Sequence, residues 1–489
     1  MEANMKKNIL INRCTVILFV ILIVWIVSCA VNPVTGKKEF MLVSESQEIA
    51  LGKQTDQQII ETYGLYNNQQ MNNYVNANGQ KMAKLSHRPQ LNFSFKVLDT
   101  PVINAFAVPG GFIYVTRGIL AYLNNEAELA GVLGHEIGHV TARHTAKQVS
   151  KTQVAQLGLG IGSMLSETFQ KYAGVAQFGV GMLFLKFSRD NERQADALGV
   201  EYSSKASFDA NHMANFFGTL NRLHPASEGP GLPDWFSTHP NPPDRVKAVK
   251  RDAQKWQTNL KKKQYIVNRN NFLNKLDGII YGEDPQQGYV EGNMFYHPQL
   301  KFQFPVPANW KVNNTPSQVQ IYNEKQDAII LFSLAKSNSP QTAANEFTSQ
   351  TKAVIKTSNQ IRVNGLLAQQ VVSDVPNQGQ ASTPVISYFI QLGKNIFAFH
   401  GLTNQTQFAD YLPTFKNTMS KFKRLTDKRK INVKPNRLVI KKTRQRQTLR
   451  QVFQKFKIPN DKLEEMAILN GKKLNDNIPA NTLVKIVLK

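Results

Sequence analysis

The sequence predicts a multidomain chain: a mainly α-helical N-terminal domain, an α+β middle domain and a small βααβ C-terminal module. Three observations predict it. At 489 residues the chain exceeds what one hydrophobic core supports. Helix-period apolar patterns dominate to about residue 255, and strand-period patterns take over from about 268. From Lys421 onward there are 20 Lys/Arg against 5 Asp/Glu, so +15 of the formal net charge of +25 lies in the last 69 residues. The expected boundaries are 1–28 for a leader, then 29–263, 268–425 and 432–489.

An apolar content of 42% with 19% charged residues excludes a disordered chain. The basic excess implies an acidic partner: nucleic acid, anionic lipid or an acidic polymer. Cys14 and Cys29 are the two cysteines, and both precede residue 30. A disulfide framework and a cysteine-based metal site are therefore excluded for the body of the protein.

The leader has a positive start in Lys6, Lys7 and Arg13, then an unbroken apolar run from Val16 to Val27. Twelve helical residues span roughly 18 Å, short of the ~30 Å hydrocarbon core. The run closes on Ile26-Val27-Ser28-Cys29, which resembles a bacterial lipoprotein signal. That resemblance implies lipidation of Cys29, and Ala30 after it implies transfer to the outer membrane with the body in the periplasm. Nucleic acid is then not the partner. An ordinary signal peptide or a short anchor is the alternative.

Along the body, Gln47–Ile60 and Gln69–Leu85 read as helices, and Phe93–Leu98 and Phe112–Thr116 as short strands. Glu126–Lys147 reads as one long helix. The Gly-rich apolar stretches Leu157–Leu165 and Ala173–Phe187 read as buried helices, because Glu167, Gln170 and Lys171 interrupt them. Arg189–Ser204 is another helix. The Pro-rich segment Pro225–Pro243 leads to a charged helix ending near Lys263. Beyond it, Phe302–Val306, Ile329–Ser333, Ile361–Val372 and Val385–Phe399 read as strands, the last turning at Gly393-Lys394-Asn395. Helices at Gln341–Lys356 and Thr406–Lys421 complete the α+β pattern.

The chemistry is carried by His135-Glu136-Ile137-Gly138-His139, an H-E-x-x-H pattern inside a predicted helix. At 3.6 residues per turn the two histidines lie about 40° apart, so both rings reach one Zn²⁺. Glu136 is placed to take a proton from a water at that metal. Leu129, Val132, Leu133, Ile137 and Val140 pack this helix into a core, which argues against scattered surface residues. A hydrolytic zinc needs a third protein ligand. Glu192 is the best candidate, and Asp196, one turn later, is placed to accept a hydrogen bond from a ligating imidazole. His144 lies about 140° around the helix from His139 and reads as a structural or supporting residue. The remaining histidines have no ligand spacing.

Four blocks now carry a family resemblance: Asn32-Pro33-Val34-Thr35-Gly36-Lys37, Asn104 to Gly111, the histidine helix, and the Glu192/Asp196 pair. Together they resemble the HtpX-like zinc metallopeptidases, in their periplasmic BepA-like lipoprotein branch, over about Asn32 to Arg245. The resemblance implies a mainly α zincin domain of the gluzincin type with one Zn²⁺ per chain, held by His135, His139 and Glu192. It implies an edge strand at Asn104, Ala105, Phe106 and Ala107 that pairs with extended substrate. It implies Arg245 as a stabiliser of the developing oxyanion, and His239 as a side chain able to occupy the zinc's open position. The helical-repeat domain of BepA is absent from this chain.

Thr448-Leu449, Val452-Phe453, Phe456, Ile458, Leu463 to Gly471 and Leu483 to Val487 resemble a LysM module, which implies peptidoglycan binding by 432–489. Arg446-Gln447 depart from that pattern. An anionic lipid surface, or a merely solvated basic face, remains an alternative. The expected activity is a zinc endopeptidase degrading unfolded or misassembled envelope proteins at the outer membrane. The rivals are a chaperone-like factor with a mostly closed metal site and a cell-wall-binding scaffold.

Overall fold

A computed structural model describes residues 29–158, 186–223, 235–239, 244–377 and 380–489. The expected leader, and most of the apolar stretches expected to be buried helices and of the Pro-rich segment, lie outside the described residues.

The chain opens with a hairpin of β1 (Cys29–Val31) and β2 (Lys38–Phe40). Helix α1 (Glu45–Tyr63) follows, started by a reciprocal cap in which Ser44 accepts from the Gln47 amide and Gln47 returns to the Ser44 backbone. After α2 (Gln69–Ala83) comes a three-stranded sheet of β3 (Ser94–Leu98), β4 (Ala105–Val108) and β5 (Phe112–Thr116). Strand β5 is central, parallel to β3 and antiparallel to β4, which leaves β4 at an edge. The helical part continues through α3 (Arg117–Tyr122), α4 (Glu126–Thr141), α5 (His144–Gly158), α6 (Arg189–Lys205), α7 (Asn211–Leu220), α8 (Trp235–Thr238), α9 (Arg245–Leu260) and α10 (Arg269–Leu276).

The long helix expected over Glu126–Lys147 is two helices. Arg143 adopts a φ of 56°, in the left-handed region that a non-glycine residue takes only when held there. Its guanidinium donates to the buried Glu48 carboxylate at 2.8 Å and to the Val43 carbonyl at 2.9 Å. Arg88 grips the same carboxylate at 2.9 Å and the Val140 carbonyl at 3.1 Å. This buried cluster ends α4 and turns α5 away.

Helix α4 is buried along its whole length, and α6 packs against it at unusually close range. A Cβ on Gly134 would stand 2.9 Å from the Gly199 carbonyl oxygen, and one on Gly138 3.0 Å from that of Ala195. Two glycines one turn apart on α4 thus open a groove into which the α6 backbone settles.

The middle region is built on a seven-stranded antiparallel sheet, in the order β12 (Val354–Val363), β13 (Leu366–Asn377), β14 (Gln380–Leu392), β15 (Asn395–Thr403), β11 (Ala328–Ala335), β10 (Gln318–Tyr322), β9 (Lys311–Asn314). A four-stranded sheet, β16 (Lys423–Arg424), β8 (Phe302–Pro305), β7 (Met294–His297) and β6 (Tyr289–Glu291), lies beside it. Alternate side chains serve opposite faces. Val371, Phe389, Ile396 and Ala398 pack under α11 (Pro340–Thr351), whereas Ile386, Tyr388, Phe397 and Phe399 meet Phe302, Phe304 and α12 (Phe408–Ser420). The helix expected to reach Lys356 ends at Thr351, and the strand expected over Ile361–Val372 is a hairpin. Asn364 and Gly365 take φ values of 47° and 82°, a two-residue turn that reverses the chain.

The expectation of a small βααβ C-terminal module is overturned. The C-terminal half is dominated by the seven- and four-stranded sheets. The last segment pairs β17 (Arg437–Lys442) with β20 (Leu483–Leu488) and β18 (Gln447–Thr448) with β19 (Asn477–Ile478), around α13 (Leu449–Lys455) and α14 (Leu463–Leu469). Its apolar residues, including Leu438, Val452, Phe453, Leu463 and Ile486, belong to the same core as Leu129, Val132, Leu273 and Leu276. Lys485 is fully buried and donates to the carbonyls of Ala121 at 2.7 Å and Leu123 at 2.9 Å, just before α4. Burial pushes the neighbouring Glu128 carboxyl up and the Lys485 ammonium down. The segment is therefore part of the helical unit, and the structural basis for the peptidoglycan expectation goes with the module. Among the described residues no helix is long and apolar enough to cross a membrane.

Candidate metal centre

Four side chains from three places in the chain converge. His135 and His139 come from α4, Glu192 from the first turn of α6, and His239 from the residue after α8. Each offers one ligand atom, all within 4.8 Å of one another, and all four residues are buried. The expected ligands are thus brought together, with His239 among them.

The donor set fits a zinc ion. His135 Nε2 and His139 Nε2 face each other at 3.0 Å, and His239 Nδ1 lies 3.3 Å from His135 Nε2 and 3.1 Å from Glu192 Oε1. Asp196 Oδ1 lies 2.9 Å from His135 Nδ1. It accepts a hydrogen bond from the N–H at that position, which keeps the proton on Nδ1 and leaves the Nε2 lone pair aimed inward. Lone pairs converging at this distance repel unless a cation lies between them. One oxygen of Glu192 and the Nε2 of His239 are buried without a hydrogen-bond partner.

The electrostatics follow from this crowding. Burial alone would raise Glu192, but His239 and the bonds from His139 and His239 hold its carboxyl well below the usual range. Burial pushes His139 far down. Burial would do the same to His239, but Glu192 and Glu136 outweigh it and raise its pKa. Glu136 sits next to the ligands with both carboxylate oxygens buried and without a hydrogen-bond partner. Burial raises its pKa, partly offset by His239 and His135. A carboxyl so placed holds a proton more readily than a solvated one.

Arg245, at the start of α9, grips Asp196 with two bonds of 2.7 Å and stands 3.3 Å from Glu192 Oε2. In this arrangement it steadies the carboxylates behind the ligands. Asn104 to Ala107 lie on the edge strand β4 and its start. The centre meets that strand through Trp235, whose amide donates to the Ile103 carbonyl at 3.0 Å.

Gln194 and Trp235 were hidden in the sequence, and His144, read there as structural or supporting, reaches the centre by a break that the helix pattern does not show. The break at Arg143 brings His144 back to His139, with Nδ1 to Nδ1 at 3.0 Å, where a continuous helix points it away. Gln194 Oε1 accepts from the far nitrogen of His144 at 3.0 Å. Burial pushes His144 down to about 4, so the ring is neutral. Trp235 stacks on His239 with ring centres 4.3 Å apart and planes at 24°. Its spacing of four residues from His239 on a helical turn was the only available signal.

Comparison with known proteins bears on this geometry. Residues 69–253 match the model of Peptidase family M48. That segment, with its His/His/Glu/His cluster, is a zinc metalloendopeptidase domain carrying a single Zn²⁺ site. The chain is 29% identical over 218 residues to a putative β-barrel assembly-enhancing protease of Vibrio cholerae, covering 43% of this chain and 45% of the relative. It is 28% identical over 230 residues to the β-barrel assembly-enhancing protease of Escherichia coli strain K12, covering 45% and 47%. It is 32% identical over 167 residues to the mitochondrial metalloendopeptidase OMA1 of Arabidopsis thaliana, covering 34% and 33%. The chain spans less than half the length of each of these three. Among solved structures, cyanobacterial PsbP from Synechocystis aligns over 28% of this chain and 96% of its own, at 12% identity and a TM-score of 0.24.

Proposed function

We propose that the protein is a zinc-dependent endopeptidase of the bacterial envelope that cuts extended segments of unfolded or misassembled proteins. The observation that carries this reading is the convergence of His135, His139 and Glu192 beside Glu136, a buried carboxylate whose oxygens accept no hydrogen bond. Placement at the periplasmic face of the outer membrane, through a lipidated Cys29, is part of the proposal. It rests on the leader sequence and on the distant likeness to the β-barrel assembly-enhancing proteases. The domain division is part of the proposal, with α10 (Arg269–Leu276) and 432–489 joined to the peptidase unit.

A zinc ion held by His135, His139 and Glu192 supplies a Lewis acid that makes water a nucleophile near neutral pH. The chain's own residues do the rest. Glu136 takes a proton from the attacking water and returns it to the leaving amine, a role its raised pKa suits. Asp196 holds the His135 proton on Nδ1, and Arg245 steadies Asp196 and Glu192. The family resemblance also gives Arg245 the stabilising of the developing oxyanion, a role in which it gives up a carboxylate contact. Strand β4 offers main-chain groups to an extended peptide, which suits a protease that tolerates many side chains.

One observation favours a gated form of this reading. His239 lies among the ligands and 3.7 Å from Glu136 Oε1, where the water and the scissile carbonyl belong. The full chain loaded with zinc should therefore digest an unfolded outer-membrane protein slowly and leave its folded form intact. His239→Ala should raise that rate at least several-fold. Equal digestion of folded and unfolded substrate, or none by either chain with zinc bound, contradicts the proposal.

A further inference from the structure

We infer that Trp235 couples the arrival of an extended peptide on β4 to the withdrawal of His239 from the metal site. The inference rests on the peptidase reading above and names what opens the site.

In a strand, successive residues turn their N–H and C=O groups to opposite edges. The Asn104 carbonyl accepts from the Thr116 amide at 3.0 Å, so Asn104 faces β5. By alternation Ala105, which is buried, and Ala107, which is half-buried, face the other way, toward the edge that no strand of the sheet covers, and the Ile103 carbonyl, two residues before β4, points to Trp235. That edge is not wholly vacant. The Trp235 amide already occupies the Ile103 carbonyl, the first acceptor in the row.

Trp235 and His239 behave as one piece. The His239 amide donates to the Trp235 carbonyl at 2.8 Å, one helical turn, and their rings stack at 4.3 Å. The Trp235 ring is buried and also lies 5.5 Å from His135 and 6.4 Å from Phe216, so it seats the turn against the centre. A second, longer tether runs from the Phe187 amide to the Thr238 carbonyl at 3.3 Å. A peptide pairing with Ala107 and Ala105 and continuing along the row takes over the Ile103 carbonyl. Trp235 then loses its backbone anchor, the stack leaves with it, and His239 is drawn out of the ligand set. Substrate and plug compete for one carbonyl, so the site opens only where a strand has already docked.

The test is hydrogen exchange on the zinc-loaded full chain carrying Glu136→Gln, with and without an unstructured seven-residue peptide at saturating concentration. The expected result is opposite changes: slower exchange at Ala105 and Ala107, and about tenfold faster exchange at Trp235. Slower exchange on β4 with Trp235 unchanged overturns the coupling while leaving edge pairing intact. No change at either place, while the unsubstituted chain cleaves the same peptide, also overturns it. If the unsubstituted chain binds zinc and cleaves nothing, the peptidase reading fails first and this inference with it. As a second measurement, Trp235→Ala should raise peptide turnover several-fold with zinc affinity held within twofold, and Trp235→Phe, which keeps a stacking ring, should restore the slow rate. Equal turnover in Trp235→Ala and the parent contradicts the inference.

Discussion

Gly199 on α6 packs against the backbone of His135 on α4: a Cβ added to Gly199 would lie 2.9 Å from the His135 nitrogen. The pair of helices that supplies the ligands is thus set by main chain on main chain, and the position of Glu192 and Asp196 relative to the histidines depends on it. Gly199→Ala should force the helices apart. Overpacking of this kind costs about 1–3 kcal/mol. Misplacing Glu192 should lower zinc affinity by about 10–100-fold, measured by competition with a chromogenic chelator. Unchanged affinity would show that the close approach is not what aligns the ligands.

Lys485 offers a second test, because it joins the last strand to the peptidase core. Lys485→Ala leaves the carbonyls of Ala121 and Leu123 without their donor and Glu128 without its neighbouring cation. Breaking a buried charged network typically costs about 3–5 kcal/mol. Thermal unfolding should show a large fall in Tm, and deletion of 432–489 should leave the peptidase unit unable to fold. A stable, zinc-binding 30–431 fragment would contradict the shared core.

His144 and Gln194 should matter to the metal rather than to the fold alone. A His144→Leu chain cannot pair with His139 Nδ1, and zinc affinity should fall by roughly 10–100-fold, with His144→Asn recovering most of it. The Co²⁺-substituted absorption spectrum provides the signature: it should shift in the Leu variant and return in the Asn variant. Identical spectra in all three would remove His144 from the centre.

The middle sheet should weaken on acidification. His400 lies under Phe347 with its Nδ1 2.8 Å from Ser387 Oγ, and burial pushes it down to about 4. Between that value and the ordinary ~6.5 the unfolded chain binds the extra proton and the folded chain does not, so stability falls as pH drops through this window. The loss from this histidine is about 1–2 kcal/mol after allowing for partial solvent contact. Denaturant unfolding at pH 7 and pH 4.5 reads it, and His400→Gln should shrink the difference, with His297, also pushed down to about 4, keeping part of it.

What was legible in the sequence was local. The H-E-x-x-H helix, the Glu192/Asp196 turn and the alternating strands announce themselves through spacing of 3.6 or 2 residues. What was hidden depends on partners distant in sequence. The break after α4 needs Glu48, nearly a hundred residues earlier, to hold Arg143 in a left-handed conformation, and with it goes the position of His144. The hairpin at Asn364-Gly365 carried a local turn signal, masked by the apolar residues on both sides that read as one strand. The fusion of the last segment into the core could not be read from its own pattern, because the same apolar residues serve a free module or a docked one.

In the proposed function, hydrolysis occurs at His135, His139 and Glu192 with Glu136 as the base. The most direct measurement is degradation of an unstructured protein by the zinc-loaded 30–489 chain beside its Glu136→Gln variant, with bound zinc quantified in both. About one zinc per chain is expected in each, with cleavage by the parent and at least a ~100-fold loss in the variant. Equal cleavage by both would place the chemistry elsewhere and contradict the account.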